Sequence, residues 1–231
     1  MCVEGLRLRA VIRLGGSVVA SPVNTELIGE YTELLRKLAN EKHEIVVIVG
    51  GGSLAREFIG YAKSMGLSEP EQDMVAISVS RLIAQLFVLK LDDIGTRVVP
   101  TSIEGMAKEL KKGKIVAMGG LKPGMTTDTV AALAAEEIKA DLLLKASDQD
   151  GIYTKDPRKH KDAKRIDRVS FDDLARLFER NRHAAGIHQI IDPEAVKILR
   201  RSRTKTVVVS GFKPENVLLA MKGNRVGTVV E

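Results

Sequence analysis

The sequence predicts an α/β fold, a mainly parallel sheet held between two layers of helices. Three observations carry this. Apolar strand-like runs alternate with amphipathic helix-like stretches from one end of the chain to the other, the pattern of repeated strand–helix crossovers. Ile45 to Val49 is an unbroken run of β-branched residues, and a strand apolar on both sides belongs in a parallel sheet covered on both faces. Finally, three strand-like runs end directly in glycines, at Gly15-Gly16, Gly50-Gly51-Gly52 and Gly119-Gly120. A glycine turn between strand and helix brings backbone amides and the positive end of a helix dipole against a ligand, so phosphate is the expected guest.

The 231 residues, 44% of them hydrophobic, suffice for one α/β domain or two small ones. Lys and Arg number 36 against 30 Asp and Glu, giving a net charge of +6, but the excess is dispersed. Its densest stretches, Lys155 to Arg165 and Arg200 to Lys205, carry no interleaved aromatics, and aromatics are only 3% of the chain. A base-stacking platform is absent, which argues against a nucleic-acid partner and for small anionic substrates. The single cysteine, Cys2, forms no internal disulfide and fits a reducing compartment. With no run of about 18 apolar residues and no leader pattern, the expectation is a cytoplasmic protein without a membrane partner.

Leu6 to Leu14 alternates basic and apolar residues and delivers the first glycine turn. Asn24 or Thr25 is placed to cap a helix to about Lys42, because Leu27, Ile28, Tyr31, Leu34, Leu35 and Leu38 form one apolar stripe. That helix returns the chain to Ile45–Val49, read as the central strand. From Ser53 the chain turns helical, and Gly66 ends that helix. Glu71 to Leu91 reads as a long helix so rich in Val, Ile, Leu and Phe that part of it is expected at a subunit interface. Arg97 to Val99 reads as a short strand, Ser102 to Lys111 as a helix, and Lys114 to Met118 as the strand before the third glycine turn. Gly119 and Gly124 have the spacing of a GxxxxGK[ST] phosphate loop, but Met125 stands where the lysine must be, which excludes that site. There follow a helix from Thr129 to Lys139, a strand from Asp141 to Ala146, and a loop from Ser147 to Pro157 rich in Asp, Gly and Pro, as suits a turn that shapes a site. Helices at Asp172 to Arg180 and Pro193 to Arg201, the strand Thr206 to Val209, a helix from Pro214 to Lys222 and a strand at Gly227 to Val230 complete the pattern.

Five segments taken together, RLGGS from Arg13, VGGGSLAR from Val49, GGLKPGMTTD from Gly119, SDQDGIYTKDP from Ser147 and IDPEAVKI from Ile191, resemble the amino acid kinase family. Within it they are most similar to the archaeal-type uridylate kinases. The resemblance implies a single three-layer α/β/α domain over residues 1–231, with the UMP side and oligomer contacts mainly before about residue 128 and the ATP side mainly after it. It implies γ-phosphoryl transfer from ATP to UMP, Mg²⁺ carried in with ATP rather than held in a dedicated metal site, and a cytoplasmic homo-oligomer, commonly a hexamer. By position, Gly15, Gly16, Ser17, Gly52 and Arg56 are expected at ATP, with Ser147, Tyr153 and Asp156 around its nucleoside end. Gly51, Asp73, Leu121, Lys122, Pro123, Gly124, Met125, Thr126 and Thr127 are expected at UMP. Plainer roles stand beside these: solvated helix charges for Arg56 and Asp73, a core ring for Tyr153, and a turn before Pro157 for Asp156.

Many members of the family carry a lysine where this chain has Arg13, at the transferred phosphoryl group. That leaves two candidate catalytic cations: Arg13, a planar fork rather than a point charge, and Lys145, similar to a lysine at the matching place in bacterial uridylate kinases. Asp128 is expected to arrange the reacting groups, with a helix N-cap as its alternative role. Isopentenyl phosphate kinases share the fold but are expected to show an HGGGSFGH-like segment, and Val49 stands in place of that first histidine. A non-catalytic relative that binds ATP to store or sense an anion is the alternative outside the enzymes.

Overall fold

The computed structural model describes residues 7–180 and 190–231; Cys2 and the expected start of the first strand at Leu6 lie outside them. Seven strands form one sheet in the order β3-β2-β1-β4-β8-β9-β7. These are β1 (Arg9–Leu14), β2 (Glu44–Val49), β3 (Val116–Met118), β4 (Leu142–Ser147), β7 (Arg168–Val169), β8 (Thr206–Ser210) and β9 (Thr228–Val230). All neighbours are parallel except β8 and β9. Ile45–Val49 is buried on both sides as expected, but the middle of the sheet is β4. The strands added after it, β8, β9 and β7, extend the sheet on that side, which the local pattern does not reveal.

Period-two alternation separates two cores. Ala10, Ile12 and Leu14 of β1 pack with residues of α2 (Thr25–Asn40), α4 (Glu69–Leu91) and α9 (Pro214–Met221). Val11 packs on the other face with α6 (Thr127–Glu137) and α8 (Pro193–Ser202). Asn24 caps α2 by accepting from Leu27 N. α3 (Gly52–Ser64) ends just before Gly66, whose φ is +77°. α4 begins two residues earlier than the apolar pattern implies, because Ser68 and Glu71 form a capping box.

Four departures from the sequence reading have local causes. Arg97 to Val99 is not a strand: a 3₁₀ turn at Asp92–Ile94 leaves only one bridge, Gly95 to Ile115, and Val98 is 72% exposed. A four-residue helix, α1 (Gly16–Val19), occupies the first glycine turn. The loop after β4 contains β5 (Ile152–Tyr153), paired antiparallel with β6 (Arg165–Ile166). α6 starts at Thr127 rather than Thr129, because the Thr126 side chain caps it. α5 (Ile103–Leu110) and α7 (Phe171–Arg180) complete the α-helices among the described residues. α4 has the length and apolar composition of a membrane-crossing helix, but Val79, Ile83, Ala84, Phe87 and Val88 bury one side of it in the sheet core.

Candidate active site

Arg13 of β1 lies opposite Lys145 of β4 in the parallel register, so both side chains leave the sheet on the face covered by α6 and α8. The first turn of α6 brings Asp128 between them. Its carboxylate is 2.7 Å from Arg13 Nε and accepts from Lys145 Nζ at 2.5 Å on both oxygens. Arg13 Nη2 also donates to Thr127 Oγ1 at 2.9 Å. Side-chain exposures of 17, 12 and 6% for Arg13, Asp128 and Lys145 place this cluster where water screens weakly. Burial alone pushes the Asp128 carboxyl up, but the Arg13 and Lys145 charges outweigh it and hold the group below the ordinary carboxylate value. Burial, then Arg13, push Lys145 down to about 8, with Asp128 opposing them. Two cations thus share one carboxylate, and the excess positive charge faces a buried site. Asp128 is not the helix cap: that role belongs to Thr126, which accepts from Thr129 N at 3.1 Å.

Beside this cluster the first two glycine turns press together. Gly15 N and Gly50 N still donate to sheet carbonyls, Ala146 O at 2.8 Å and Leu14 O at 3.0 Å. Beyond them, a Cβ on Gly16 would lie 2.1 Å from Gly52 N. One on Gly52, where φ is +60°, would lie 2.3 Å from the carbonyl oxygens of Gly16 and Ala20. Any side chain at Gly52 therefore strikes backbone before it reaches a ligand, so bulk there acts on the fold as well as on binding. Ser53 N and Leu54 N are already spent, on Ser21 Oγ at 2.6 Å and Ala20 O at 3.4 Å. The amides of Gly16, Ser17, Gly51 and Gly52 have no acceptor among the described residues. The unpaired amides, the groups suited to an anion, thus gather at this glycine corner rather than in the body of the α3 first turn. Arg56, exposed one turn into α3, makes no ion pair among the described residues.

On the other side of Gly51 lies a cavity of about 140 Å³ whose lining includes Gly51, Asp73, Ile77, Gly120, Met125 and Thr127. It unites two stretches of the expected UMP set, with Lys122 at its rim. Asp73 Oδ2 accepts from Gly124 N at 2.7 Å, so this carboxylate also pins the loop. Thr126 is turned away: its hydroxyl donates to Asp192 Oδ2 and accepts from Thr129 N. That removes it from the hydroxyls able to read a base and leaves Thr127 in the cavity. Leu121, Pro123 and Gly124 form the loop without lining the cavity.

The nucleoside side assigned to ATP is less well gathered. A cleft of about 390 Å³ past the end of β8 is lined by Asp150, Ser210, Lys213 and Asn216 with Arg165 and Arg225, none of them singled out in the sequence. Tyr153 reaches it through Asp150, to which its hydroxyl donates at 2.7 Å. Ser147 is buried at the end of β4 beside Asp148. Asp156, 2% exposed, accepts from Arg158 N at 3.0 Å and builds the turn before the basic loop.

Two groups escaped the sequence reading. Asp192 caps α8 through Glu194 N and Ala195 N and ties it to α6 through Thr129; an Asp directly before Pro193 was the available signal. Ser80 and Arg81 of α4 grip the third glycine turn: Gly120 N donates to Ser80 Oγ, and Arg81 donates to Gly120 O and Leu121 O. Arg81 is the one charged residue between Asp73 and Lys90, and a lone cation in so apolar a helix implies a specific partner.

This fold is that of a phosphotransferase family. The amino acid kinase family model matches residues 8–210, and the chain belongs to that family. It is 41% identical over 226 residues to uridylate kinase of Methanocaldococcus jannaschii, covering 97% of this chain and 100% of that protein. Uridylate kinase of Methanobrevibacter smithii is 36% identical over 223 residues, covering 96% and 99%. The crystal structure of uridylate kinase from Archaeoglobus fulgidus superposes with a TM-score of 0.87 at 38% identity, over 97% of this chain and all of that one. The UMP kinase of Bacillus anthracis shares the fold, with a TM-score of 0.78 at 22% identity over 96% and 95% of the two chains.

Proposed function

We propose that this chain is a nucleoside monophosphate kinase that transfers the γ-phosphoryl group of ATP to UMP, giving UDP and ADP. The observation that carries the reading is one continuous site: the bare amides of the glycine corner lie between the Arg13–Asp128–Lys145 cluster and the cavity bounded by Gly51, Asp73 and Thr127. The uridylate kinases it resembles match it over nearly their whole length. Phosphoryl transfer needs alignment and charge neutralisation more than covalent chemistry. The glycine amides hold phosphate oxygens. Arg13 and Lys145 meet the charge spread over the transferred group, in a setting where each donor counts for more than in water. Asp128 fixes the relative positions of the two cations.

Mg²⁺ enters on the phosphates. The one carboxylate in the cluster is committed to two cations, so the residues suit an ion ligated by phosphate oxygens and water rather than a protein cage. When bound, Mg²⁺ supplies charge neutralisation on the phosphates.

The acceptor side falls mainly before about residue 128, and the donor nucleoside belongs in the cleft at Asp150, Ser210 and Lys213. The exposed apolar side of α4, with Leu82 60% and Leu89 69% exposed, supports a homo-oligomer built by pairing α4 with a second copy, with a hexamer as the full assembly. A cytoplasmic enzyme of pyrimidine nucleotide synthesis fits this chemistry. Phosphorus NMR of the enzyme with MgATP and UMP tests the reading: UDP and ADP must appear in equal amounts. ATP consumed without UDP would sink it.

A further inference from the structure

We propose that Arg81 is a positioning residue for the acceptor, setting the shape of the cavity before UMP arrives. This rests on the acceptor site proposed above. Gly119 packs so closely on α4 that a Cβ there would lie 2.6 Å from Ser80 Oγ and 2.7 Å from Arg81 N. The Ser80 hydroxyl donates to Ile77 O at 2.7 Å and accepts from Gly120 N at 2.8 Å. Arg81 then closes the grip, with Nε donating to Gly120 O and Nη2 to Leu121 O, both at 3.0 Å. Only a planar fork spans two successive carbonyls in this way.

About two turns earlier in α4, Asp73 takes Gly124 N. Asp73, Ile77, Ser80 and Arg81 have the spacing of one helical face, so a single stripe of α4 holds the loop from Gly119 to Gly124. The consequence is chemical as well as geometric. Arg81 occupies the carbonyls of Gly120 and Leu121, and Met125 N takes Lys122 O. The carbonyls of Pro123, Gly124 and Met125 have no donor among the described residues. The loop therefore presents its unpaired acceptors at its tip, where Asp73 takes Gly124 N, while its base is held by Arg81, a cation that makes no ion pair among the described residues. By fixing the base from which that tip projects, Arg81 acts on acceptor binding and leaves the ATP side untouched.

The test is steady-state kinetics of Arg81→Lys and Arg81→Ala beside the wild type, with UMP and MgATP varied separately. Lysine keeps the charge but cannot bridge both carbonyls. Each bond from a charged donor that is lost costs roughly tenfold or more in acceptor affinity. The expected result is a KM for UMP raised about 10- to 100-fold in both variants, KM for ATP within about threefold of wild type, and a thermal midpoint within a few degrees. Millimolar guanidinium should lower the KM for UMP of Arg81→Ala, and methylammonium should not. A wild-type KM for UMP in both variants overturns the inference while UMP turnover by the wild type still supports the acceptor site. An equal rise in both KM values overturns it too, by making Arg81 merely structural. Absence of UMP turnover in the wild type overturns both readings together.

Discussion

Replacing Asp128 by asparagine keeps the shape of the side chain and removes the one negative charge shared by Arg13 and Lys145. Two buried cations then face each other without a partner, a change that costs about 3 to 5 kcal/mol when a buried pair is broken on one side. At about 2 to 4 °C per kcal/mol for a chain of this size, the thermal midpoint falls by roughly 6 to 20 °C. The wild-type carboxyl titrates below its unfolded value, so its stabilisation is complete above that unfolded value, about 3.9, and fades as pH falls through the folded one. The gap between wild type and variant should close in acid.

Activity responds through Lys145. Asp128 opposes the burial and the Arg13 charge that push this lysine down to about 8; without it, Lys145 loses its proton at lower pH still. Wild-type kcat/KM should fall as pH rises through about 8, and the variant's falling limb should move to lower pH. At neutral pH, kcat should drop by about 10²-fold or more, as on loss of a preorganised charge, with smaller changes in either KM. The assay is coupled ADP release between pH 6 and 9, with melts followed by circular dichroism. A variant with wild-type kcat and an unshifted pH profile, but a lower melting point, would refute the catalytic role and leave Asp128 as a structural charge.

Three further outcomes follow from the geometry. Gly52→Ala places its Cβ 2.3 Å from two carbonyl oxygens at a φ of +60°, so it should cost at least about 3 kcal/mol; a melt unchanged within 2 °C would contradict the packing described. Asp73→Asn keeps an acceptor for Gly124 N, whereas Asp73→Ala loses it, so KM for UMP should rise less than about tenfold in the first and further in the second. A carboxylate lining the acceptor cavity can also accept from ribose hydroxyls, so the preference for UMP over dUMP should narrow most in the alanine variant, and a preference unaltered in both would exclude Asp73 from the ribose. Leu82→Glu with Leu89→Glu puts charge on the exposed side of α4 and should reduce the mass by light scattering; an unchanged oligomer would move the interface elsewhere.

What the sequence showed and what it hid divide along the range of the interactions. Strands, most helices and the glycine turns were legible because each depends on local chemistry: β-branched runs, apolar stripes, and residues without Cβ. The pairing of Arg13 with Lys145 was not, since it depends on β1 and β4 being neighbours across more than a hundred residues of chain. The middle strand was misjudged for the same reason. Thr126 shows the limit of assigning residues by motif. Its place in the segment is that of an acceptor contact, but its hydroxyl serves the start of α6 and Asp192. Arg81 was passed over inside an apolar helix, although its isolation there was a readable sign. Ser147, Tyr153 and Asp156 were drawn from the loop after β4, whereas the cleft beside it is lined by Asp150, by Arg165 and Arg225 and by residues of the β8–α9 connection.

The most direct test of the central claim is the ratio of kcat/KM for UMP to that for CMP, measured with MgATP at fixed pH. Uracil offers two carbonyl acceptors around an N3–H donor, and cytosine an amino donor beside a bare acceptor, so one fixed set of partners cannot satisfy both. The fixed partners here are groups that line the cavity: the Lys122 amide and the Met125 carbonyl, unpaired among the described residues, and the Thr127 hydroxyl. Each mispaired polar group costs about 1 to 3 kcal/mol. The account predicts UMP favoured by about 10²-fold or more, and comparable values for UMP and CMP would contradict it.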